Sequence, residues 1–279
     1  MLNISIAGLN IDMQVQPDSN ADISNFSTFQ RKNNEPPNIT INFNATQELL
    51  TSGIKIYSEE GLSWWKSGNN TEVVITKEEG TPPRAILHAN ETWTDIHMRI
   101  NATNTSQGVL KTLGEVAFRT SILFYSGLVV HAAAIKWNNK GIILSAPSNT
   151  GKSTQASLWE KNMGATILNG DRPAMRMRGT VPMVYGTPWS GSSPDFQNSS
   201  ASLSAIIMLE QGVQNRLREL PPSEAVSRLA ARCFLPYWDR YLMDMALSNL
   251  EKIVQQVPVA LLQCRPDQEA VELVRGWIV

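Results

Sequence analysis

One stretch constrains this chain more than any other: residues 141–160, which read GIILSAPSNTGKSTQASLWE. Its first residues form a short apolar run that predicts a buried strand, APSNTG is typical of a tight loop, and the remainder predicts a helix. The loop matches the pattern G-x-x-x-x-G-K-[ST], except that Ala146 stands at the first glycine. Backbone N–H groups in such a loop, together with the positive end of the following helix, form a site for phosphate.

The residue types in the loop suit a nucleoside triphosphate. Gly151 removes side-chain bulk where the backbone meets a phosphate, and Lys152 is predicted to reach the β- and γ-phosphates. Ser153 offers a hydroxyl to Mg²⁺, and Thr154 can reach the α-phosphate. The alternative is a chance Gly-Lys-Ser sequence at the start of an ordinary helix. The strand predicted before the loop and the helix predicted after it favour the phosphate site.

An acidic residue follows the next predicted strand. Asp171 ends the segment ATILNGD, and in an α/β sheet the carboxyl end of that strand lies at the same edge as the loop. The carboxylate could hold Mg²⁺, directly or through water, or accept the proton of an attacking hydroxyl. The alternative is a turn aspartate that pairs with Arg172. Arg172 itself is either a clamp on the transferred phosphoryl group or the structural partner of Asp171.

His131 lies in LVVHAAAI, a predicted strand that pairs with the strand leading into the loop. The end of this strand can approach a phosphate bound in the loop, although a single histidine among apolar residues is more often part of a core. Residues 186–200, GTPWSGSSPDFQNSS, have the glycine- and serine-rich composition of a mobile loop near an active site. An ordinary surface loop is the alternative.

The first third of the chain predicts a different kind of structure. Residues 1–107 contain short alternating or β-branched segments separated by turns rich in Asn, Ser, Gly and Pro, which predict a mostly antiparallel β region. The apolar spacing from residue 108 predicts a helix that ends at Gly127. Two strands joined by the turn NNKG follow, and strands and helices then alternate, which favours an α/β domain over residues 108–279.

Composition restricts the classes of function. The formal net charge is −1, so binding to nucleic acid or to an anionic membrane is not expected. The most apolar region is interrupted by Arg119 and His131, which argues against a membrane span. Cys233 and Cys264 have no metal-binding or redox spacing, and the N-terminal sequence lacks the features of a signal peptide, so a cytoplasmic protein is expected.

The run HAAAIKWNNKGIILSAPSNTGKST, followed by LNGDRPAM, resembles the catalytic core of HPr kinase/phosphorylase and its relatives, whose fold is similar to that of phosphoenolpyruvate carboxykinase. The segments SIAGLNIDM, YGTPWSGSS and CRPDQEAVELVRGWI look like the small HPr-kinase-related proteins found with peptide-modifying gene sets, which include lasso-peptide precursor kinases. The resemblance implies an α/β P-loop kinase core at 108–279 that follows an N-terminal antiparallel β region at 1–107. That region would present the substrate.

The resemblance also implies roles for particular residues. Phosphates of ATP would be bound by Ser148, Asn149, Thr150, Gly151, Lys152, Ser153 and Thr154. Lys152 would contact the transferring group, and His131 matches the family's histidine near the phosphate. Asp171 would be the acidic residue at the reaction centre, and Ser153 and Asp171 would hold Mg²⁺. Together with the possible clamp Arg172, the predicted catalytic residues are therefore Asp171, His131, Lys152 and Arg172.

Two departures from HPr kinases affect the predicted activity. Gly170 stands where those enzymes have the first of two adjacent acidic residues, and their glycine-rich signature for the protein substrate has no convincing match. Asp171 would then serve as both base and metal ligand, and HPr is not the expected acceptor. We predict an ATP-dependent kinase for a serine-type hydroxyl on a ribosomally synthesised precursor peptide. A small-molecule kinase and a nucleotide-binding regulatory module with little turnover remain alternatives, and a homo-oligomer is possible.

Overall fold

The computed structural model describes residues 1–16, 21–78, 80–102, 108–191 and 195–278. The chain divides into two compact units. The first unit comprises Met1–Phe124 and Pro236–Arg240, and the second comprises Tyr125–Leu235 and Tyr241–Val279. The boundary predicted at residue 107 lies outside the described residues. The division into a presenting region and a kinase core remains a prediction.

The first unit contains eight strands and two helices within the described ranges. Its strands are β1 (Leu2–Ile6), β2 (Leu9–Val15), β3 (Ile39–Thr46), β4 (Ile54–Glu59), β5 (Leu62–Ser67), β6 (Asn70–Ile75), β7 (Ala85–Ala89) and β8 (Asp95–Asn101). Its helices are α1 (Ser24–Ser27) and α2 (Val109–Ser121), and a 3₁₀ turn follows at Ile122–Tyr125.

The strands of the first unit form one sheet in the order β1-β2-β3-β8-β7-β6-β5-β4. Most neighbours are antiparallel, as predicted, but β3 runs parallel to both β2 and β8. The description as an antiparallel region is wrong for these two pairs. The alternating pattern of a strand does not reveal its direction, and the long connection from β2 to β3 allows the chain to return to the same end of the sheet.

Two turns in this sheet are made by residues with positive φ angles. The segment NISIAGLNIDMQV is two strands, because Ala7 and Gly8 both have positive φ angles and turn the chain between β1 and β2. Strand β5 is joined to β4 by Glu60 and Gly61, which also have positive φ angles. Both turns are two-residue hairpin connections of the kind that favours left-handed backbone.

Helix α2 packs against β7 and β8 and therefore belongs to the first unit, although the sequence analysis placed it in the second region. The prediction that the helix ends at Gly127 is wrong. The α-helix ends at Ser121, with Ile122 as its C-cap residue. Gly127 is instead the first residue of a strand that pairs with a later hairpin, and this pairing requires extended backbone at Gly127.

The second unit contains the remaining elements. Its strands are β9 (Gly127–Val129), β10 (Ala132–Trp137), β11 (Lys140–Ser145), β12 (Thr166–Asn169), β13 (Ala174–Arg178), β14 (Val181–Tyr185), β15 (Ser200–Gln211), β16 (Arg216–Glu219) and β17 (Val259–Cys264). Its helices are α3 (Lys152–Met163), α4 (Pro222–Ala230), α5 (Arg240–Val254), whose first residue is assigned to the first unit, and α6 (Gln268–Ile278).

These strands form a mixed sheet in the order β12-β10-β11-β15-β14-β13-β9, and β17 pairs with β15 and β16. Strand β15 runs parallel to both β11 and β17, and the other pairs in the sheet are antiparallel. Alternating strands and helices confirm the mixed α/β class. Among the described residues, no helix combines the length and apolarity that a membrane span needs.

The predicted local structure around the loop is confirmed. Asn138 and Asn139 have φ angles of 47° and 62° and join β10 to β11 in a tight turn. Helix α3 ends at Gly164, whose φ of 65° is the left-handed conformation that glycine adopts readily. The helix packs against the sheet and against α6, and Trp159 and Ala146 are fully buried in the resulting core.

Candidate functional site

The topology of the second unit brings three chain segments to one edge of the sheet. Strand β10 pairs antiparallel with both β11 and β12, so the carboxyl ends of β11 and β12 lie beside the start of β10. His131 immediately precedes β10, the loop follows β11, and Asp171 follows β12. The Ala132 N–H donates to the Asp171 carbonyl oxygen at 3.0 Å, which fixes the last of these segments beside the first.

The loop between β11 and α3 has the backbone features of an anion site. Asn149 and Gly151 have φ angles of 62° and 111°, and no side-chain hydrogen bond caps the start of α3. A Cβ atom built on Gly151 would have no atom of the described residues within 4 Å, so the space beside the helix start is open. The first N–H groups of a helix have no partner within the helix, and they favour an anion at this position.

Lys152 is buried at the base of the loop. Its Nζ lies 3.0 Å from His131 Nε2 and donates to the carbonyl oxygens of Ala146 and Pro147 at 3.1 and 3.3 Å. Burial lowers the pKa of the Lys152 ammonium, the nearby Asp171 carboxylate opposes that shift, and Arg232 adds to it. These three contacts hold the Lys152 side chain at the sheet edge, although the side chain is buried.

The contacts of His131 define its tautomer. The ammonium of Lys152 can only donate, so His131 Nε2 accepts and the proton lies on Nδ1. Nδ1–H then donates to Asp171 Oδ1, at a distance of 2.9 Å. Lys152, His131 and Asp171 therefore form a continuous hydrogen-bonded chain in which a neutral imidazole joins a cation to a carboxylate.

Arg172 contacts the other oxygen of the same carboxylate. Its Nε lies 3.1 Å from Asp171 Oδ2, and its guanidinium carbon lies 5.3 Å from the centre of the Phe234 ring. The side chain of Asp171 remains 19% exposed. Asp171 is thus held from both sides and still has a face open to solvent.

Asn169 is a functional candidate that the sequence analysis did not identify. Its side chain is fully buried, and its Oδ1 accepts the N–H groups of Asp171 and Arg172 at 2.9 and 2.6 Å. Its Nδ2 donates to the carbonyl oxygens of Thr187 and Trp189 at 2.9 and 3.1 Å. The signal was an asparagine two residues before an aspartate at a strand end, since asparagine commonly bonds backbone groups that follow it.

The segment predicted as a mobile loop packs against the site over its described part. Thr187, Trp189 and Ser190 are buried. A Cβ atom on Gly191 would lie 2.6 Å from Asp171 Oδ2, so this glycine allows the backbone to approach the carboxylate. The middle of the predicted loop, residues 192–194, lies outside the described residues.

The predicted site residues thus fall into two groups. The structure joins Lys152, His131, Asp171 and Arg172 through direct contacts. The others lie along the loop and the first turn of α3, where they are exposed or partly exposed; they are Ser148, Asn149, Thr150, Gly151, Ser153 and Thr154. None of the contacts described within this structure joins this second group to Asp171.

The ligand atoms at the site suit Mg²⁺, which takes part of its shell from phosphate and water. They do not suit a metal ion that is bound by protein side chains alone. Among the residues that the structure describes, no group of three or more His, Cys, Asp or Glu side chains could hold a metal ion. Magnesium is commonly bound by one or two protein oxygens, with phosphate oxygens and water completing its shell. The Ser153 hydroxyl and the Asp171 carboxylate are ligands of that type. An uncapped helix start beside open space fits the phosphates of a nucleotide.

Comparison with known proteins finds a similarity of structure but no match of sequence. No family model matches the chain, and no curated protein matches it. Among solved structures, it is similar to the Hpr(Ser) kinase/phosphatase from Coxiella burnetii, with 12% identity and a TM-score of 0.32. The match covers 53% of this chain and 95% of that chain. This level of similarity does not establish a family.

Proposed function

We propose that this protein is an ATP-dependent phosphotransferase that acts on a hydroxyl group. The observation that carries the proposal is the hydrogen-bonded chain from Lys152 through His131 to Asp171, beside an uncapped helix start. A cation, a carboxylate and an anion-binding backbone are what phosphoryl transfer requires of a protein. Bound ATP would supply the phosphoryl group, and its magnesium ion would neutralise part of the charge on the phosphates.

Each residue has a defined part in this proposal. Backbone N–H groups of the loop and of α3 would hold the phosphates, with Lys152 on the transferring group. Ser153 and Asp171 would hold the magnesium. Asp171 would also accept the proton of the acceptor hydroxyl, and His131 and Arg172 would keep its carboxylate in place. Because Gly170 supplies no second acid, Asp171 would combine both roles.

We further propose that the acceptor is a serine-type hydroxyl on a precursor peptide. The first unit supports a peptide, because β4 is the outermost strand of its sheet and Ile54 on that strand is 78% exposed. Next to β4 lies a cavity of about 680 Å³, whose walls include Lys55, Ser63 and Trp65. Extended peptides commonly bind by adding a strand to an exposed sheet edge.

One observation favours a second function, a nucleotide-binding module with little turnover. Both oxygens of Asp171 already accept hydrogen bonds from cationic or polar groups, His131 Nδ1 and Arg172 Nε. These contacts occupy lone pairs of the carboxylate that would otherwise receive the proton of a hydroxyl. Both a binding module and a kinase would hold the nucleotide. The two functions are therefore distinguished by the rate of phosphoryl transfer.

The deciding experiment compares the parent protein with Asp171→Asn. The protein is incubated with MgATP and a peptide encoded beside its gene, and the peptide's intact mass is measured. A kinase adds about 80 Da per phosphate, and the variant should lower kcat by about 10³-fold while it still binds nucleotide. Asp95→Asn is the matched control, because Asp95 is an exposed aspartate of the first unit.

Each outcome points to one function. Phosphate on the peptide with the parent and with Asp95→Asn, but not with Asp171→Asn, supports the peptide kinase. Nucleotide binding without any transfer to peptide or to water favours the regulatory module. Transfer only to small hydroxyl compounds would retain the enzyme and remove the peptide. If the parent protein does not bind ATP in the presence of Mg²⁺, the proposal as a whole is overturned.

A further inference from the structure

A third cation stands at the site, contributed by a segment far from the loop in sequence. Residues 232–234 follow helix α4 and run beside residues 129–131. The His131 N–H donates to the Arg232 carbonyl oxygen at 2.7 Å, and the Phe234 N–H donates to the Val129 carbonyl oxygen at 3.1 Å. Val130 and Cys233 form an isolated antiparallel bridge between these two bonds. Arg232 is therefore held by its backbone directly beside the histidine of the site.

The guanidinium of Arg232 has one buried N–H group that needs a partner. Its Nε is buried and has no hydrogen-bond partner among the described residues. A buried N–H of a charged group without a partner is unfavourable, and water, an ion or a bound ligand commonly supplies the missing acceptor. The Arg232 guanidinium is also close enough to Lys152 for the two positive charges to repel each other.

Neighbouring arginines of the same region behave differently. Arg228, one turn earlier on α4, contacts the carboxylates of Glu224 and Glu210 at 2.9 and 3.0 Å. Arg218 contacts Glu224 at 2.8 Å. Those arginines have acidic partners at the surface, whereas Arg232 adds to a group of cations, Lys152 and Arg172, that is opposed by Asp171. This excess of positive charge suits a polyanion.

We infer that Arg232 is a further catalytic residue, whose guanidinium contacts the phosphoryl group as it is transferred. The inference rests on the proposed function and adds a residue that the loop pattern does not contain. The transferring phosphoryl group spreads negative charge over its equatorial oxygens, and an arginine supplied by the same chain stabilises that charge. A contact made mainly in the transition state raises kcat and leaves the affinity for the nucleotide product unchanged.

The test uses a stable mimic of the transition state in the full-length protein. Binding of MgADP is measured by calorimetry with and without aluminium fluoride, for the parent, Arg232→Met, Arg232→Lys and the control Arg228→Met. In the parent, the fluoride should tighten ADP binding by about 10²-fold, and Arg232→Met should lose at least about tenfold of that effect. Affinity for MgADP alone should stay within about threefold, and Arg228→Met should match the parent.

Arg232→Lys covers the case in which the Met variant does not fold, since it keeps the charge. It should lose part of the fluoride effect, because a lysine cannot reproduce the two-pronged contact of a guanidinium. Equal tightening in the parent and in a folded Arg232 variant would overturn the inference and leave the proposed function intact. A parent that binds MgADP without any tightening would overturn it as well. A parent that does not bind MgADP would refute the proposed nucleotide site itself.

Discussion

Replacing Gly191 by alanine should disable the site although none of the predicted catalytic residues is substituted. The new Cβ atom would lie 2.6 Å from Asp171 Oδ2 and 2.9 Å from its Cγ. Ordinary van der Waals contact begins at 3.4 Å, so the carboxylate has to move by about 0.8 Å or the backbone has to shift. The carboxylate is held by His131 and Arg172, so movement disrupts those contacts.

The expected size of the effect follows from the displacement and from the backbone. A shift of about 1 Å in a catalytic group costs about 10²-fold in rate, so kcat should fall by that factor. Gly191 also has a φ of 63°, and alanine in this left-handed region costs about 1–2 kcal/mol of stability. The two consequences need to be separated by a control.

Gly179→Ala provides that control, because Gly179 has the same φ of 63° and a Cβ there would meet no described atom within 4 Å. Both variants carry the same backbone strain, and only Gly191→Ala presses on Asp171. The assay measures kcat for phosphoryl transfer and the unfolding midpoint in denaturant. It also measures the ¹⁵N shifts of the His131 imidazole, which are tractable because the chain has three histidines.

The reasoning is refuted if Gly191→Ala and Gly179→Ala have the same kcat and the same His131 spectrum. Equal rates would mean that the carboxylate can move aside without consequence for the reaction. A changed spectrum with an unchanged rate would show that the contact between His131 and Asp171 has no catalytic role.

Two further predictions concern stability. Asn169→Ala should destabilise the protein by about 2–4 kcal/mol in denaturant unfolding, because it removes the hydrogen bonds that the Asn169 amide makes to backbone groups of Asp171, Arg172, Thr187 and Trp189; a loss below about 0.5 kcal/mol would contradict this role. The lowered pKa of Lys152 means that the unfolded chain binds more protons between that pKa and the ordinary value of 10.5. The contribution of Lys152 to the unfolding free energy should therefore rise with pH across this window. Lys152→Met should lack this rise, so the stability difference between parent and variant should change in favour of the parent as the pH rises toward 10.5, and a constant difference would contradict the burial argument.

Local sequence determined the elements that depend on neighbouring residues alone. The strand, loop and helix at 140–163 follow from an apolar run, a Gly-Lys-Ser sequence and the left-handed cap at Gly164, and the turn at Asn138 and Asn139 follows from residues that tolerate positive φ. These features require contacts only a few residues apart along the chain. The position of Asp171 after a short strand was also predictable, because the pattern of ATILN is local.

Tertiary structure alone decided how the elements are combined. The parallel direction of β3, the assignment of α2 to the first unit and the start of β9 at Gly127 depend on pairing with distant strands. Strand alternation and helix periodicity carry no information about such partners.

The candidate site shows the same division. Lys152 and Asp171 could be identified from sequence, but the neutral tautomer of His131 follows only from its two partners in space. Asn169 and Gly191 act through contacts with residues that the turn geometry brings close. Arg232 reaches the site because residues 232–234 pair with 129–131, about a hundred positions earlier in the chain. Residue types establish what chemistry is available, and long-range backbone pairing decides which groups meet, because sequence separation gives no measure of distance in a folded chain.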